Sequence, residues 1–116
     1  MAKFSLPSGR SIEITATVNA AVTQQVEILG PGLDLKWEGK GEGIRIGQTA
    51  IAFPIGAPDV TVEARVTHSA NGDGNWSPSH ETLTEERANG EVRVIAEDGR
   101  GTLDANDLIV RFRWVV

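Results

Sequence analysis

Apolar and polar residues alternate with a period of two along most of this chain. Ile12, Ile14, Ala16 and Val18 interleave with Glu13, Thr15 and Thr17, the mark of a strand with one face buried and one face wet. Val26 and Ile28 repeat the pattern, as do Leu33, Leu35 and Trp37, then Val60, Val62, Ala64 and Val66, then Val92, Val94 and Ala96. The closing run 108–114 alternates once more and sets Phe112 and Trp114 on one face. Between these runs stand Gly30-Pro31-Gly32, Gly39-Lys40-Gly41, the segment 54–58 and Asn71-Gly72-Asp73-Gly74-Asn75. Glycine supplies positive φ and proline fixes φ, so each reads as a chain reversal. The segment 79–88, whose one large apolar residue is Leu83, reads as a polar edge strand or loop. The expectation is one all-β domain spanning residues 1–116. It should be a two-sheet antiparallel β-sandwich of about eight or nine strands, with the first and last strands close together.

Composition narrows the function. The 116 residues suffice for one domain with a real core, since a chain of this size removes roughly two-thirds of its unfolded surface from water. Forty per cent of residues are apolar and 23% are charged, which are globular values. The net charge of −5 disfavours nucleic acid and anionic membranes as partners. The absence of cysteine excludes a disulfide scaffold, a thiolate metal site and a cysteine nucleophile together. The amino-terminal residues contain no apolar run long enough for a signal peptide or a membrane span. The expected product is therefore made in the cytoplasm, and export or surface display would need another route.

Catalysis finds no support. His68 and His80 lie far from any activated serine or metal-ligand spacing and read as exposed histidines at strand ends. Glu85 and Glu86 are adjacent, hence on opposite faces of an extended chain. Gly39-Lys40-Gly41-Glu42-Gly43 leads into no helix, so it is not a phosphate loop. The informative stretch is the run 97–107, with Glu97, Asp98, Asp104, Asn106 and Asp107 between two apolar strands. Hard oxygen donors crowded onto one loop suit calcium, which takes six to eight oxygens in flexible geometry. The spacing is not that of an EF-hand. Asp, Asn and Gly also dominate ordinary hairpin loops, so composition alone leaves both readings open.

Two separated motifs point further. The acidic stretch Glu97-Asp98-Gly99, Asp104, Asn106-Asp107 precedes an apolar strand ending near Trp114, and Phe4-Ser5-Leu6-Pro7 leads through an alternating strand into Val18-Asn19-Ala20-Ala21-Val22-Thr23-Gln24. In this order and at this distance the chain resembles, over essentially its whole length, the small calcium-mediated fucose- and mannose-binding lectins of bacteria. The resemblance implies Asn19, Glu97, Asp104, Asn106 and Asp107 as calcium ligands, with Asp104 and Asp107 touching both ions of a pair. It implies Asp98 and the Ala20-Ala21-Val22 loop as sugar contacts. It implies two calcium ions per chain, coordinated by vicinal hydroxyls of a mannose- or fucose-type sugar, and a homodimer or tetramer. The acidic loop is one residue longer here, and Thr102 stands where the family has an aspartate, so a hydroxyl replaces a carboxylate among the ligands. The family's closing glycine has no counterpart at Val116. These departures keep an alternative open, in which one or both ions are lost and the chain is a calcium-independent β-sandwich interaction module descended from such a lectin.

Overall fold

The computed structural model describes residues 2–56, 58–69, 75–97 and 107–116. It contains β1 (Ala2–Leu6), β2 (Ser11–Gly30), β3 (Leu33–Ala52), β4 (Val60–Ser69), β5 (Ser77–Pro78), β6 (His80–Glu86), β7 (Glu91–Glu97) and β8 (Leu108–Arg113). Among the described residues the only helical element is a single 3-10 turn, Arg87–Asn89. The strands hydrogen-bond in the order β1-β4-β2-β8-β7-β6, with β3 along β2 and β5 on β4, and every pairing is antiparallel. The all-β expectation holds. The segment read as a polar edge strand or loop is β6, which pairs with β7 in register from His80–Glu97 to Glu86–Glu91.

The sequence pattern divided the chain into short strands, whereas β2 and β3 run for 20 residues each. Pro31-Gly32 does form the tight reversal between them, with Gly30 and Leu33 as the last pair and Gly32 at φ 70°. Gly39-Lys40-Gly41, by contrast, is not a reversal. These residues lie inside β3, where β2 continues to pair with the chain on both sides of them. The glycines mark bulges, and a bulge bends a ladder without ending it.

That bend folds the β2–β3 hairpin over on itself. One edge of β2 pairs with β3 along its length, while the other edge pairs with β8 over Glu13–Val18 and with β4 over Thr23–Leu29. A strand that changes partner midway must turn from one layer into the next. The two halves of β3 consequently meet: a Cβ built on Gly47 would sit 1.9 Å from the Trp37 indole, and one on Gly39 would sit 2.4 Å from Ile46 Cγ2. Across the layers Phe4 of β1 packs edge-on against Phe112 of β8, with ring centroids 4.8 Å apart. First and last strands therefore touch, as the pattern predicted, through a pair contributing about 1 kcal/mol beyond its burial. The alternating residues Ile12, Ile14, Ala16 and Val18 of β2 are fully buried, together with Val92, Val94 and Ala96 of β7 and Leu108, Val110 and Phe112 of β8.

Side chains fasten the seam where backbone pairing stops. Glu81 Oε2 accepts the Val66 N–H at 2.8 Å, and the Ser79 N–H donates to the Val66 carbonyl at 3.0 Å. Arg87 Nη2 reaches the Ser5 carbonyl at 2.7 Å while holding Glu85 Oε1 at 2.7 Å. These bonds tie β6 to β4, and the turn that follows β6 to β1, and bring the folded sheet close to a barrel.

Because the indole occupies the space above Gly47, a methyl there must displace the ring. Gly47→Ala is expected to lower unfolding free energy by roughly 1–3 kcal/mol, the usual cost of overpacking. A urea denaturation midpoint for the variant equal to that of the parent would refute the close approach.

Candidate functional site

The bend in the hairpin also assembles the candidate site. Val18 of β2, Leu108 of β8 and Ala96 of β7 form one buried rung across three neighbouring strands. The next residue beyond that rung on each strand is Asn19, Asp107 and Glu97 respectively. Three residues with oxygen-bearing side chains, Asn19 lying 78 positions before Glu97 and 88 before Asp107, are thus brought to one end of the sandwich, on strands spaced by roughly 4.8 Å. The Asn19 N–H donates to the Asp107 carbonyl at 2.8 Å and extends the β2–β8 ladder to this level. Asp107 is buried, Glu97 half-buried and Asn19 exposed.

Beyond Asn19 the ladder with β3 breaks register twice. Val18 pairs with Ile44 and Ala20 with Gly41, so Asn19 faces two residues, Glu42 and Gly43. Ala20 pairs with Gly41 and Gln24 with Gly39, so Ala21, Val22 and Thr23 face Lys40 alone. The Ala20-Ala21-Val22 segment also falls in the gap where β2 has left β8 and not yet joined β4. It bulges for that reason within β2. The fully buried Gln24 donates through Nε2 to the Val22 carbonyl at 3.4 Å and braces the bulge from beneath. An open cleft of ≈ 300 Å³ lies at this bend, lined by Asn19, Ala20, Ala21, Gly41 and Glu42.

Six of the residues singled out in the sequence fall in this region: Asn19, Ala20, Ala21, Val22, Glu97 and Asp107. Asp98, Thr102, Asp104 and Asn106 lie outside the described residues. Among the described residues no three His, Asp or Glu side chains gather as a ready metal site. The oxygen donors they do contribute are an amide and two carboxylates, a hard set of the kind calcium takes. Sequence reasoning missed Glu42. Its flanking glycines were the available signal, but they read as a turn rather than as a bulge facing Asn19. His68 also departs from expectation. It is buried, and its Nδ1 lies 2.9 Å from Ser79 Oγ beneath the β4–β5 pairing; His80 is exposed as expected.

A β-sandwich with an oxygen-rich corner beside an open cleft is the architecture of a small-ligand binding domain. Comparison with known proteins gives the family. The model described as Fucose-binding lectin II (PA-IIL) matches residues 4–116, so this chain belongs to that family of lectins. Among solved structures it is similar to the Chromobacterium violaceum lectin CV2L in complex with alpha-methyl-fucoside, at 26% identity and a TM-score of 0.69, covering 98% of this chain and 96% of that one. It is similar to the Ralstonia solanacearum high-affinity mannose-binding lectin at 27% identity and a TM-score of 0.69, with the same coverage of both chains. The C-terminal domain of the BC2L-C lectin from Burkholderia cenocepacia shares the fold at 21% identity and a TM-score of 0.68, over 98% of this chain and 95% of that one. No curated protein matches the chain. Among the described residues no helix is long and apolar enough to cross a membrane.

The Asn19 side chain is exposed, and the bond it shares with Asp107 runs through the backbone. Asn19→Ala should therefore leave stability in chelator within about 0.5 kcal/mol of the parent. Asn19→Pro, which removes the donor, should cost roughly 1–3 kcal/mol. Equal denaturation midpoints for the two variants would contradict the rung.

Proposed function

We infer that the chain is a calcium-dependent lectin for mannose- or fucose-type monosaccharides. The observation that supports the reading is the register that sets Asn19, Asp107 and Glu97 one residue past a shared rung, with the cleft along Ala20 and Ala21 beside Asn19. Asn19 of the amino-terminal motif and the two described residues of the acidic motif, Glu97 and Asp107, adjoin one buried rung in a chain that belongs to a lectin family. Asn19, Glu97, Asp104, Asn106 and Asp107 would hold the metal, with Thr102 offering a hydroxyl. Asp98 and the Ala20-Ala21-Val22 segment would face the sugar. Bound calcium supplies a concentrated positive charge to which vicinal hydroxyls of a sugar can give their oxygens. This chain's residues do the rest. The carboxylates neutralise the ions, the β2–β8 rung holds Asn19 at their level, and the small Ala20 and Ala21 side chains leave room for a pyranose ring.

Homodimerisation, or pairing of dimers, belongs to the same reading. Val115 and Val116 stand 85% and 68% exposed beside the half-buried Trp114, and apolar side chains so placed suit a surface covered by another copy. Light scattering at micromolar concentration is expected to give twice or four times the chain mass; a monomer mass would refute it.

Calcium that binds only the folded chain must raise its melting temperature, because such a ligand adds RT ln(1 + [L]/Kd) to stability. Millimolar calcium should shift the melt upward and chelator should reverse the shift. Mannose or fucose titration should give binding with calcium and none with chelator. Asp104→Ala and Asp107→Ala should lose metal and sugar together, whereas substitution of Ala21 should alter sugar preference and leave metal uptake intact. Sugar affinity unchanged in chelator would sink the calcium mechanism and favour the calcium-independent alternative.

A further inference from the structure

The cleft has one charged wall. Of its lining residues, Asn19, Ala20, Ala21, Gly41 and Glu42, only Glu42 has an ionisable side chain. Glu42 owes its position to the bulge in which Asn19 faces both Glu42 and Gly43. The backbone on either side is restricted to glycine, with φ 126° at Gly41 and 62° at Gly43, values that residues with a Cβ rarely adopt. A side chain on Gly41 would also approach Ile44 Cγ1 to 2.8 Å. Bulges re-aim the residues they contain, and this one presents an acidic residue at the lip of the cleft. Glu42 is exposed, and among the described residues no cation pairs with it. Its charge is therefore uncommitted.

We propose that Glu42 is a specificity-determining residue of the cleft, selecting sugars that turn a hydrogen-bond donor toward it, an ammonium above all, and rejecting sugars that turn a carboxylate toward it. This rests on the sugar-binding reading above and extends it to the charge class of the ligand. A carboxylate accepts hydrogen bonds and donates none when ionised. A hydroxyl or ammonium meeting it forms a charge-assisted bond, and a second carboxylate meets like charge. The neighbouring walls cannot substitute, because alanine methyl groups carry no polar atom and the Asn19 amide is neutral.

The experiment uses three methyl α-mannosides that differ only at the exocyclic carbon: hydroxymethyl, aminomethyl and carboxylate. The ring hydroxyls available to the metal are then the same in all three. Affinities are measured by calorimetry in calcium for the parent chain, Glu42→Gln and Asp34→Asn; the last removes one exposed negative charge far along β3 from the cleft. In the parent the aminomethyl sugar should bind more tightly than the carboxylate sugar. Glu42→Gln should cut that affinity ratio by roughly threefold to tenfold, the scale of partly exposed charge pairs acting on both sugars. Asp34→Asn should leave the ratio unchanged, and both variants should keep the calcium-dependent rise in melting temperature. High salt should shrink the parent ratio toward that of Glu42→Gln. If all three sugars bind and the ratio is the same in the parent and in Glu42→Gln, the role of Glu42 is refuted and the lectin reading stands. If the parent takes up calcium and binds none of the three, the sugar reading falls and this proposal with it.

Discussion

Everything distinctive in this molecule follows from β2 having two partners on one edge. Over Glu13–Val18 that edge is paired by β8, and over Thr23–Leu29 by β4. Between the two stretches the β2–β3 ladder breaks register, and such bulges bend a strand. The bend divides one hydrogen-bonded sheet into two facing halves, and the halves close over Phe4, Phe112 and the alternating aliphatic residues. It also frees Ala20, Ala21 and Val22 from regular pairing at the corner. Core and candidate site are two consequences of one geometric constraint.

The same constraint explains why small residues matter in β3. As β2 bends, β3 bends with it, and its two halves approach until Trp37 covers Gly47 and Ile46 covers Gly39. A longer side chain at either glycine would have to displace the residue that covers it. Arg87 and Glu81 supply hydrogen bonds to the Ser5 carbonyl of β1 and the Val66 N–H of β4 that the regular ladders leave unmade.

Charge adds a second layer. The chain carries a net charge of −5, and Asp107 and Glu97 occupy neighbouring strands one residue past the same rung. Like charges brought this close repel, the more so where water is partly excluded. The neighbouring cleft carries the further negative charge of Glu42.

By itself the sequence determined the fold class, because a period of two repeated through β2, β4, β7 and β8 is a local property of the chain. It determined the reversal at Pro31-Gly32, whose geometry depends on those two residues. The two motifs behind the family resemblance were legible as well, since each is contiguous and their order is preserved. Tertiary structure decided what depends on contacts across long stretches of chain. Gly39-Lys40-Gly41 looked like a turn because glycines next to a polar residue are locally equivalent in a turn and in a bulge; only continued pairing with β2 distinguishes them. Glu42 came to line the cleft, and His68 became buried against Ser79, through pairing details that the local pattern does not specify. Alternation tells a residue which face it occupies but not which neighbour it will meet, and in a sheet folded over on itself the neighbour decides the chemistry.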